Sequence, residues 1–196
     1  MQEPSQEKGA LQRPVPGDDR HYEPTTDAFH AALGRVLLPG GMVRLVTCGR
    51  DPLRIAWKPA GSPLQRVLDD IVSKDPTYTW QVQEGVANLL PSSGEPLLLG
   101  TRLSKFHLQD VSSASDALNR ILKLPQLRKS MHKLDLRLGL ILVKSLSTPH
   151  QPRFSVRFNG GTLRQALNAI ARAQGRAIWE YVEIRCDGRN EVVIRF

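Results

Sequence analysis

The sequence predicts an α+β protein with two tandem, related domains, each built in the order βαββαββ. The main observation is an internal repeat, because the stretch from Arg54 to Glu84 returns without a gap 99 residues later, at Arg153 to Glu183. Within each copy, alternating segments typical of strands surround amphipathic segments typical of helices. The 196 residues also match the length of two domains of about 100 residues each.

The repeat preserves core positions and turns, not reactive side chains. The aligned pairs are Gly61 with Gly160, Leu64 with Leu163, Leu68 with Leu167, Ile71 with Ile170 and Trp80 with Trp179. A second repeat, Ala32 to Leu37 against Ala117 to Leu122, has an offset of 85, so the later copy carries 14 extra residues. We therefore predict a first domain over 25–100 and a second domain over 101–196, with a helical insertion near 125–137.

Local signals define the elements of the first copy. Thr25 or Thr26 supplies a capping hydroxyl for the first helix. Ser62, Pro63 and Gln65 supply a cap, a proline at the first helical position and a glutamine at the third for the second helix. The predicted elements are a helix over 27–38, strands over 42–46 and 53–57, a helix from residue 64, and a hairpin of 78–83 and 86–90.

The second copy carries clearer helix signals. Ser113 and Asp116 form a capping pair, and Thr162 with Gln165 forms another, in front of a helix that Gly175 should end. An extra strand precedes this copy and has no predicted counterpart in the first. The predicted elements are a strand over 103–109, a helix over 117–121, an inserted helix over 126–133, strands over 138–143 and 153–158, a helix over 163–173, and a hairpin of 177–185 and 191–196.

Residues 1–24 are polar and rich in proline, which predicts a disordered leader. They contain no apolar segment typical of a signal peptide. No apolar run reaches the roughly 20 residues of a membrane-spanning helix. The chain is therefore expected to be periplasmic or exported if a signal peptide has been removed, and cytoplasmic otherwise.

The net charge of +8 is concentrated in the second copy. Residues 1–30 carry 3 basic and 6 acidic side chains, residues 31–100 carry 7 and 6, and residues 101–196 carry 17 and 7. This distribution favours an acidic partner, and a solubilising surface is the alternative. The inserted helix contributes four polar side chains that serve either as a solvated face or as a docking surface. These are Arg128, Lys129, His132 and Lys133.

Reactive groups are sparse in this sequence. Cys48 and Cys186 lie one in each copy, and they form either a disulfide between the copies or two half-buried thiols, the second being favoured because free cysteine is commonly buried. No histidine spacing fits a metal site, and no local pattern indicates a catalytic residue or a cofactor. Trp80 and Trp179 occupy equivalent positions, which predicts a shared packing role.

Residues Phe154 to Trp179 resemble the short N-terminal domain shared by secretins and TonB-dependent transducers. The resemblance lies in an alternating strand, a small polar turn, a Leu163-x-x-Ala166-Leu-x-x-Ile170 helix and the closing Gly175. Residues 53–90 fit more loosely. The resemblance implies two helices between a two-stranded and a three-stranded sheet, and a non-enzymatic domain that binds a partner protein in the bacterial periplasm. The sequence contains no segment expected to form a plug, a barrel or a secretin ring. The resemblance therefore implies a binding module only.

We therefore expect a non-enzymatic protein-interaction module of a bacterial cell envelope, with an envelope protein as its partner. The predicted docking site is the edge strand Val192, Val193 and Ile194, whose open side is filled by another strand of the domain, by the other copy or by a partner, with the inserted helix steering the approach. The alternative is a nucleic-acid binder that uses the basic second domain. Trp179, Phe154 and Phe158 fall at core-like positions, which weighs against a stacking surface for bases.

Overall fold

The described part of the first half includes two helices of more than ten residues and five strands. The structure is a computed structural model, and it describes residues 9–139, 152–186 and 188–196. Its elements confirm the α+β fold class. They are β1 (His21–Pro24), α1 (Thr25–Val36), β2 (Gly40–Thr47), β3 (Arg54–Trp57), α2 (Leu64–Lys74), β4 (Tyr78–Gln83) and β5 (Val86–Pro91).

Two sheets flank the helices of the first half. β1 pairs antiparallel with β3, whereas β2 pairs in parallel with β5, and β5 pairs antiparallel with β4. Helices α1 and α2 pack against each other and against strands of both sheets. Leu64, Leu68 and Ile71 of α2 are fully buried. The apolar stripe predicted from their spacing is therefore the face that packs in the core.

The second half repeats this pairing order. Its elements are β6 (Arg102–Leu103), β7 (Phe106–Val111), α3 (Ala114–Ile121), α4 (Pro125–Lys133), β8 (Arg137–Leu138), β9 (Phe154–Phe158), β10 (Gly161–Thr162), α5 (Leu163–Gln174), β11 (Ile178–Cys186) and β12 (Arg189–Arg195). β7 pairs antiparallel with β9, and β12 pairs antiparallel with β11 and in parallel with β8. The inserted helix is α4. Most of the strand predicted over 138–143 lies outside the described residues.

A single strand pairing joins the two halves into one sheet. β2 and β11 run in parallel over eight residue pairs, from Gly40 with Ile178 to Thr47 with Arg185. The resulting six-stranded sheet has the order β4-β5-β2-β11-β12-β8. We call the β2–β11 pairing the seam. Glu180 of β11 is almost fully buried there and forms ion pairs with Arg44 of β2, at 3.5 Å, and with Arg195 of β12.

The two halves do not have fully separate cores. One buried cluster lies between α1, α2 and their strands. The other belongs mainly to the second half, but it includes Val43, Leu90, Leu98 and Leu99 from residues before 101. The connection between the halves is thus buried in the second core. The predicted division into two domains at residue 100 stays a prediction.

The prediction of a disordered leader over 1–24 is wrong for residues 9–24. Val15 is fully buried, and its amide donates a hydrogen bond to the Ser62 carbonyl at 2.9 Å. Arg35 Nη1 donates to the Pro16 carbonyl at 2.7 Å, and β1 occupies the end of the segment. The proline and polar residues of this segment give it a composition typical of disordered chains. The buried Val15 and the main-chain hydrogen bonds nevertheless fix its position against the first half. β1 is also the counterpart of β7, so the second copy has no extra leading strand at that position.

The capping predictions succeed in the second half and fail in the first. Ser113 Oγ accepts from the Asp116 amide at 3.0 Å, and Thr162 with Gln165 forms a complete capping box. In the first half, Pro24 and Pro63 occupy the N-cap positions, and no side chain caps either helix. The Thr25 hydroxyl instead donates to the buried Asp75 carboxylate, where a tertiary contact outweighs the local one.

We expect Leu68→Ala and Leu167→Ala each to lower the free energy of unfolding by about 2–5 kcal/mol, since both leucines are fully buried. Arg66→Ala, on the exposed side of α2, is the matched control and should change it by less than about 0.5 kcal/mol. Denaturant unfolding followed by circular dichroism measures all three. Equal, small effects at all three positions would contradict the described core.

Candidate functional site

A groove lies between the free edge of β9 and helix α5. Two adjoining cavities of about 320 and 410 Å³ form it, and both are lined by Ala173. Among the described residues, β9 has one strand partner, β7, and α5 packs beside it. The wall on the strand side includes Phe154, Ser155 and Arg157, and the wall on the helix side includes Ala169 and Ala173. We call this surface the β9 groove.

In the first half, the strand that corresponds to β9 is β3, and two side chains cover its edge. Lys74 of α2 donates from Nζ to the main-chain oxygen of Ala56 in β3 at 2.8 Å, and it is held by Asp70 at 2.6 Å. A lysine placed across a strand edge is a common way to block unwanted pairing. On the 99-residue repeat, Asp70 and Lys74 correspond to Ala169 and Ala173. The second half therefore lacks both blocking side chains.

No described strand or side chain is hydrogen-bonded to the main-chain groups at this edge of β9. Ser155 is the residue that corresponds to Ala56, whose carbonyl accepts from Lys74 in the first half. Alternate residues of a strand direct their main-chain groups to the same edge, so Arg157 shares that orientation with Ser155. Both side chains are exposed. The groove thus presents a short row of peptide donors and acceptors beside a helix with small side chains.

The groove is strongly basic. Arg153 pairs with Asp110 at 2.5 Å, and Arg172 pairs with Glu84 at 2.9 Å, the latter across the two halves. Arg157 and Arg176 are exposed and make no side-chain hydrogen bond or ion pair with the described residues. Two arginine charges therefore lie along the groove without a described counterion, which favours a negatively charged occupant.

The residues that the sequence predicts for docking lie elsewhere. Arg128, Lys129, His132 and Lys133 are all exposed on α4, as a polar face should be. Val192 and Ile194 are buried in the second core, and only Val193 is partly exposed. β8 pairs with β12 at Glu191 and Val192, so that part of the edge is already filled. None of these seven residues lines the β9 groove, and their role in docking stays a prediction.

The two cysteines are brought together at the end of the seam. Cys48 follows β2, Cys186 ends β11, and the structure joins them in a disulfide with a Cα–Cα distance of 5.1 Å. The interpretation of two separate half-buried thiols is therefore wrong. The parallel pairing of β2 with β11 brings them together, and sequence spacing gave no sign of that pairing. Cys48 is exposed and Cys186 is half-buried, so the bridge lies at the surface.

The two repeated tryptophans share a hydrogen bond but differ in exposure. Trp179 Nε1 donates to Asn168 at 2.8 Å, and Trp80 Nε1 donates to Asp69, the corresponding residue, at 2.9 Å. Trp179 and Asn168 are fully buried. Trp80 is only partly buried, because its strand is at the edge of the sheet. A neutral amide in the buried position avoids burying a charge.

Two other buried polar groups, Asp75 and Tyr181, have structural partners. Asp75 accepts from the hydroxyls of Thr25 and Thr77 and from the Thr77 amide, so its carboxylate is saturated. Burial raises the pKa of the Tyr181 phenol, and its hydrogen bond to the Glu183 carboxylate raises it further. Tyr181 therefore stays a neutral donor at ordinary pH. These groups secure the fold and line no part of the β9 groove.

Among the described residues, no group of histidine, cysteine and acidic side chains has a metal-binding arrangement. The described helices include none of the length and apolarity needed to cross a bilayer. Comparison with protein-family models, with curated proteins and with solved structures finds no match. The function therefore has to be argued from the geometry of the chain itself.

We expect removal of the disulfide by Cys48→Ser with Cys186→Ser to lower the free energy of unfolding by about 2–4 kcal/mol, because the bridge restricts the unfolded chain. Urea unfolding with and without a thiol reductant provides the measurement. The reductant should destabilise the unmodified protein and leave the double variant unchanged. An unmodified protein with two free thiols and no response to reductant would contradict the bridge.

Proposed function

We propose that this protein is a non-catalytic interaction module that binds an extended, acidic segment of a partner protein in the β9 groove. The observation that carries the proposal is the difference between the two halves of the repeat. Lys74 and Asp70 close one strand edge, whereas Ala173 and Ala169 leave the other open. An open edge beside a helix is a common site for the addition of a peptide strand.

The proposed complex uses main-chain hydrogen bonds for affinity and side chains for selectivity. A bound segment pairs with the main-chain groups of Ser155 and Arg157 at the free edge of β9. Its side chains alternate, so every second one faces α5, where Ala169 and Ala173 leave room for aliphatic groups. Arg157 and Arg176 select acidic side chains on the segment, since charge complementarity mainly governs selectivity and the rate of association.

The envelope setting is part of the proposal. The resemblance of residues 154–179 to secretin and transducer N-terminal domains supports a periplasmic protein partner. A surface disulfide between Cys48 and Cys186 is consistent with an oxidising compartment such as the periplasm. Neither observation names the partner, which is defined here by its chemistry: an extended segment with alternating acidic and aliphatic residues.

A nucleic acid is the second candidate occupant, favoured by the excess of 17 basic over 7 acidic side chains in residues 101–196. Phe154, which was expected at a core-like position, and Phe106 are only partly buried, but both pack against the second core and offer no fully open ring. Trp179 and Phe158 are buried, and Phe158 packs against Phe106 with ring centroids 4.8 Å apart. Single-stranded nucleic acid binding commonly relies on exposed stacking groups, so the protein segment is preferred.

A fluorescent peptide of alternating glutamate and valine tests the proposal by anisotropy titration. We expect a Kd of the order of 10–100 µM at low salt, because only a short strand edge is offered. The double variant Ala169→Asp with Ala173→Lys restores the blocking pair of the first half and should weaken binding at least tenfold. Circular dichroism verifies that this variant is folded.

Two controls separate this site from the alternatives. Lys129→Glu with Lys133→Glu changes the charge by more than the groove variant does but leaves the β9 groove intact, so binding should fall by less than threefold. A labelled single-stranded oligonucleotide should bind more weakly than the peptide at the same salt concentration. Unchanged peptide binding after Ala169→Asp with Ala173→Lys would refute the groove, and tighter oligonucleotide binding would favour the nucleic-acid reading.

A further inference from the structure

We propose that a cavity at one end of the β7–β9 sheet binds a small organic phosphate monoester. The cavity has a volume of about 380 Å³ and is lined by Lys105, Phe106, His107, Arg157, Phe158 and Asn159. Arg157 also lines the β9 groove, whereas the other five residues do not. We call this site the β7–β9 cavity. It is distinct from the proposed peptide site, and the proposal does not depend on peptide binding.

Strand pairing places four polar side chains of the β7–β9 cavity on one face of the sheet. His107 lies directly opposite Arg157 in the antiparallel pairing. Lys105 precedes His107 by two residues, and Asn159 follows Arg157 by two, so these four side chains alternate to the same face. The Cβ atoms of opposite residues are about 4.5–5.5 Å apart, and those of diagonal neighbours are about 7–8 Å apart. The long side chains of Lys105 and Arg157 can therefore contact one ligand beside His107.

The charge of the β7–β9 cavity favours an anion. Lys105, His107 and Arg157 are exposed, and they make no side-chain hydrogen bond or ion pair with the described residues. No acidic side chain is among the described residues that line the cavity. Like charges on neighbouring positions of paired strands repel each other and destabilise a sheet. An anion between Lys105 and Arg157 offsets this repulsion, so the empty arrangement is less favourable than the occupied one.

The number of hydrogen-bond donors favours a phosphoryl group over a carboxylate. The ammonium of Lys105 and the guanidinium of Arg157 offer three and five N–H groups, and His107 and Asn159 add further donors. A carboxylate has only two oxygens to accept them. A phosphate monoester has three terminal oxygens and a charge of about −1.5 to −2 at pH 7, and guanidinium groups bind phosphate through two parallel hydrogen bonds. The polar lining therefore matches a phosphate monoester.

The β7–β9 cavity is larger than a phosphoryl group requires. Its volume lies within the range of about 300–1,000 Å³ that is typical of small-molecule sites. Phe106, which is only partly buried, and Phe158 line it beside the polar groups. The aliphatic stems of Lys105 and Arg157 add further apolar surface. An apolar group joined to the phosphate therefore fills space that a free phosphate ion leaves empty.

The first half of the repeat does not reproduce this cavity. Lys58 corresponds to Arg157, but a proline and an alanine follow it, where Phe158 and Asn159 follow Arg157. Lys58 is exposed and does not line the β7–β9 cavity. A change of charge at Lys58 therefore alters the net charge of the protein without touching the proposed site, and it provides a matched control.

Isothermal titration calorimetry with phenyl phosphate at about pH 7.5 and low salt tests the proposal. We expect a Kd of about 0.1–1 mM, because the charges of a surface cavity are partly screened by water. Phenyl sulfate has the same shape and only one negative charge, and it should bind about tenfold more weakly. Inorganic phosphate lacks the apolar group and should bind about fivefold more weakly than phenyl phosphate.

Variants of Lys105 locate the site. Lys105→Glu should weaken phenyl phosphate binding by about tenfold or more, whereas Lys105→Arg, which keeps the charge, should change it by less than about threefold. Lys58→Glu makes the same change of net charge elsewhere and should also change binding by less than about threefold. The double variant Ala169→Asp with Ala173→Lys should retain phenyl phosphate binding, which separates this cavity from the β9 groove.

Three results would overturn the proposal: no binding of phenyl phosphate at millimolar concentration, equal binding of phenyl sulfate or inorganic phosphate, and equal losses for Lys105→Glu and Lys58→Glu. If Lys105→Glu fails to fold by circular dichroism, nuclear magnetic resonance of the unmodified protein decides instead. Phenyl phosphate should then shift the main-chain amide signals of Lys105, His107, Arg157 and Asn159 more than those of the first half. Shifts spread evenly over the protein refute the β7–β9 cavity.

Discussion

The close approach of β2 to β11 is the constraint on which the rest of the molecule depends. Gly41 has no side chain, so β2 can lie flat against the Trp179 ring while its main chain pairs with β11. That pairing turns two three-stranded sheets into one sheet of six. It also positions Arg44 beside the buried Glu180, an anion that would be costly to bury without a partner. Side-chain packing, main-chain pairing and charge neutralisation therefore all occur along the seam.

The two halves of the repeat have the same pairing order but treat their strand edges differently. The first half covers the edge of β3 with Lys74, and the outer side of its β4 has no described strand partner. In the second half, the outer side of β9 has no described strand partner, whereas β11, the strand that corresponds to β4, is paired with β2. Duplicated scaffolds with different edges give one chain several distinct surfaces. The surface proposed for binding therefore lies where the two copies carry different residues at equivalent positions, and the shared residues maintain the fold.

The sequence revealed the repeated helices and hairpins because their signals are local. The apolar spacing of α2, the capping box at Thr162 and the turn at Glu84–Gly85 each depend on residues within one element. The leader was misjudged because Val15 is held by distant main-chain groups, which composition does not reveal. The seam depends on strand pairing across more than 130 residues, so the sequence left the bridge between Cys48 and Cys186 as one of two alternatives. The β9 groove depends on the absence of a counterpart to the Lys74–Ala56 contact, which is a tertiary contact that sequence patterns do not reveal.

The bridge between Cys48 and Cys186 also changes how the chain would transmit a mechanical load. The two residues are separated by 138 positions, and that loop includes β3, α2, the connection between the halves and most of the second half. Tension applied to the chain on either side of the bridge passes through the sulfur atoms and bypasses the loop. While the bridge is intact, this tension cannot extend residues 49–185, which include the strand and the helix that line the β9 groove. Reduction removes that restriction, and the loop then bears the tension.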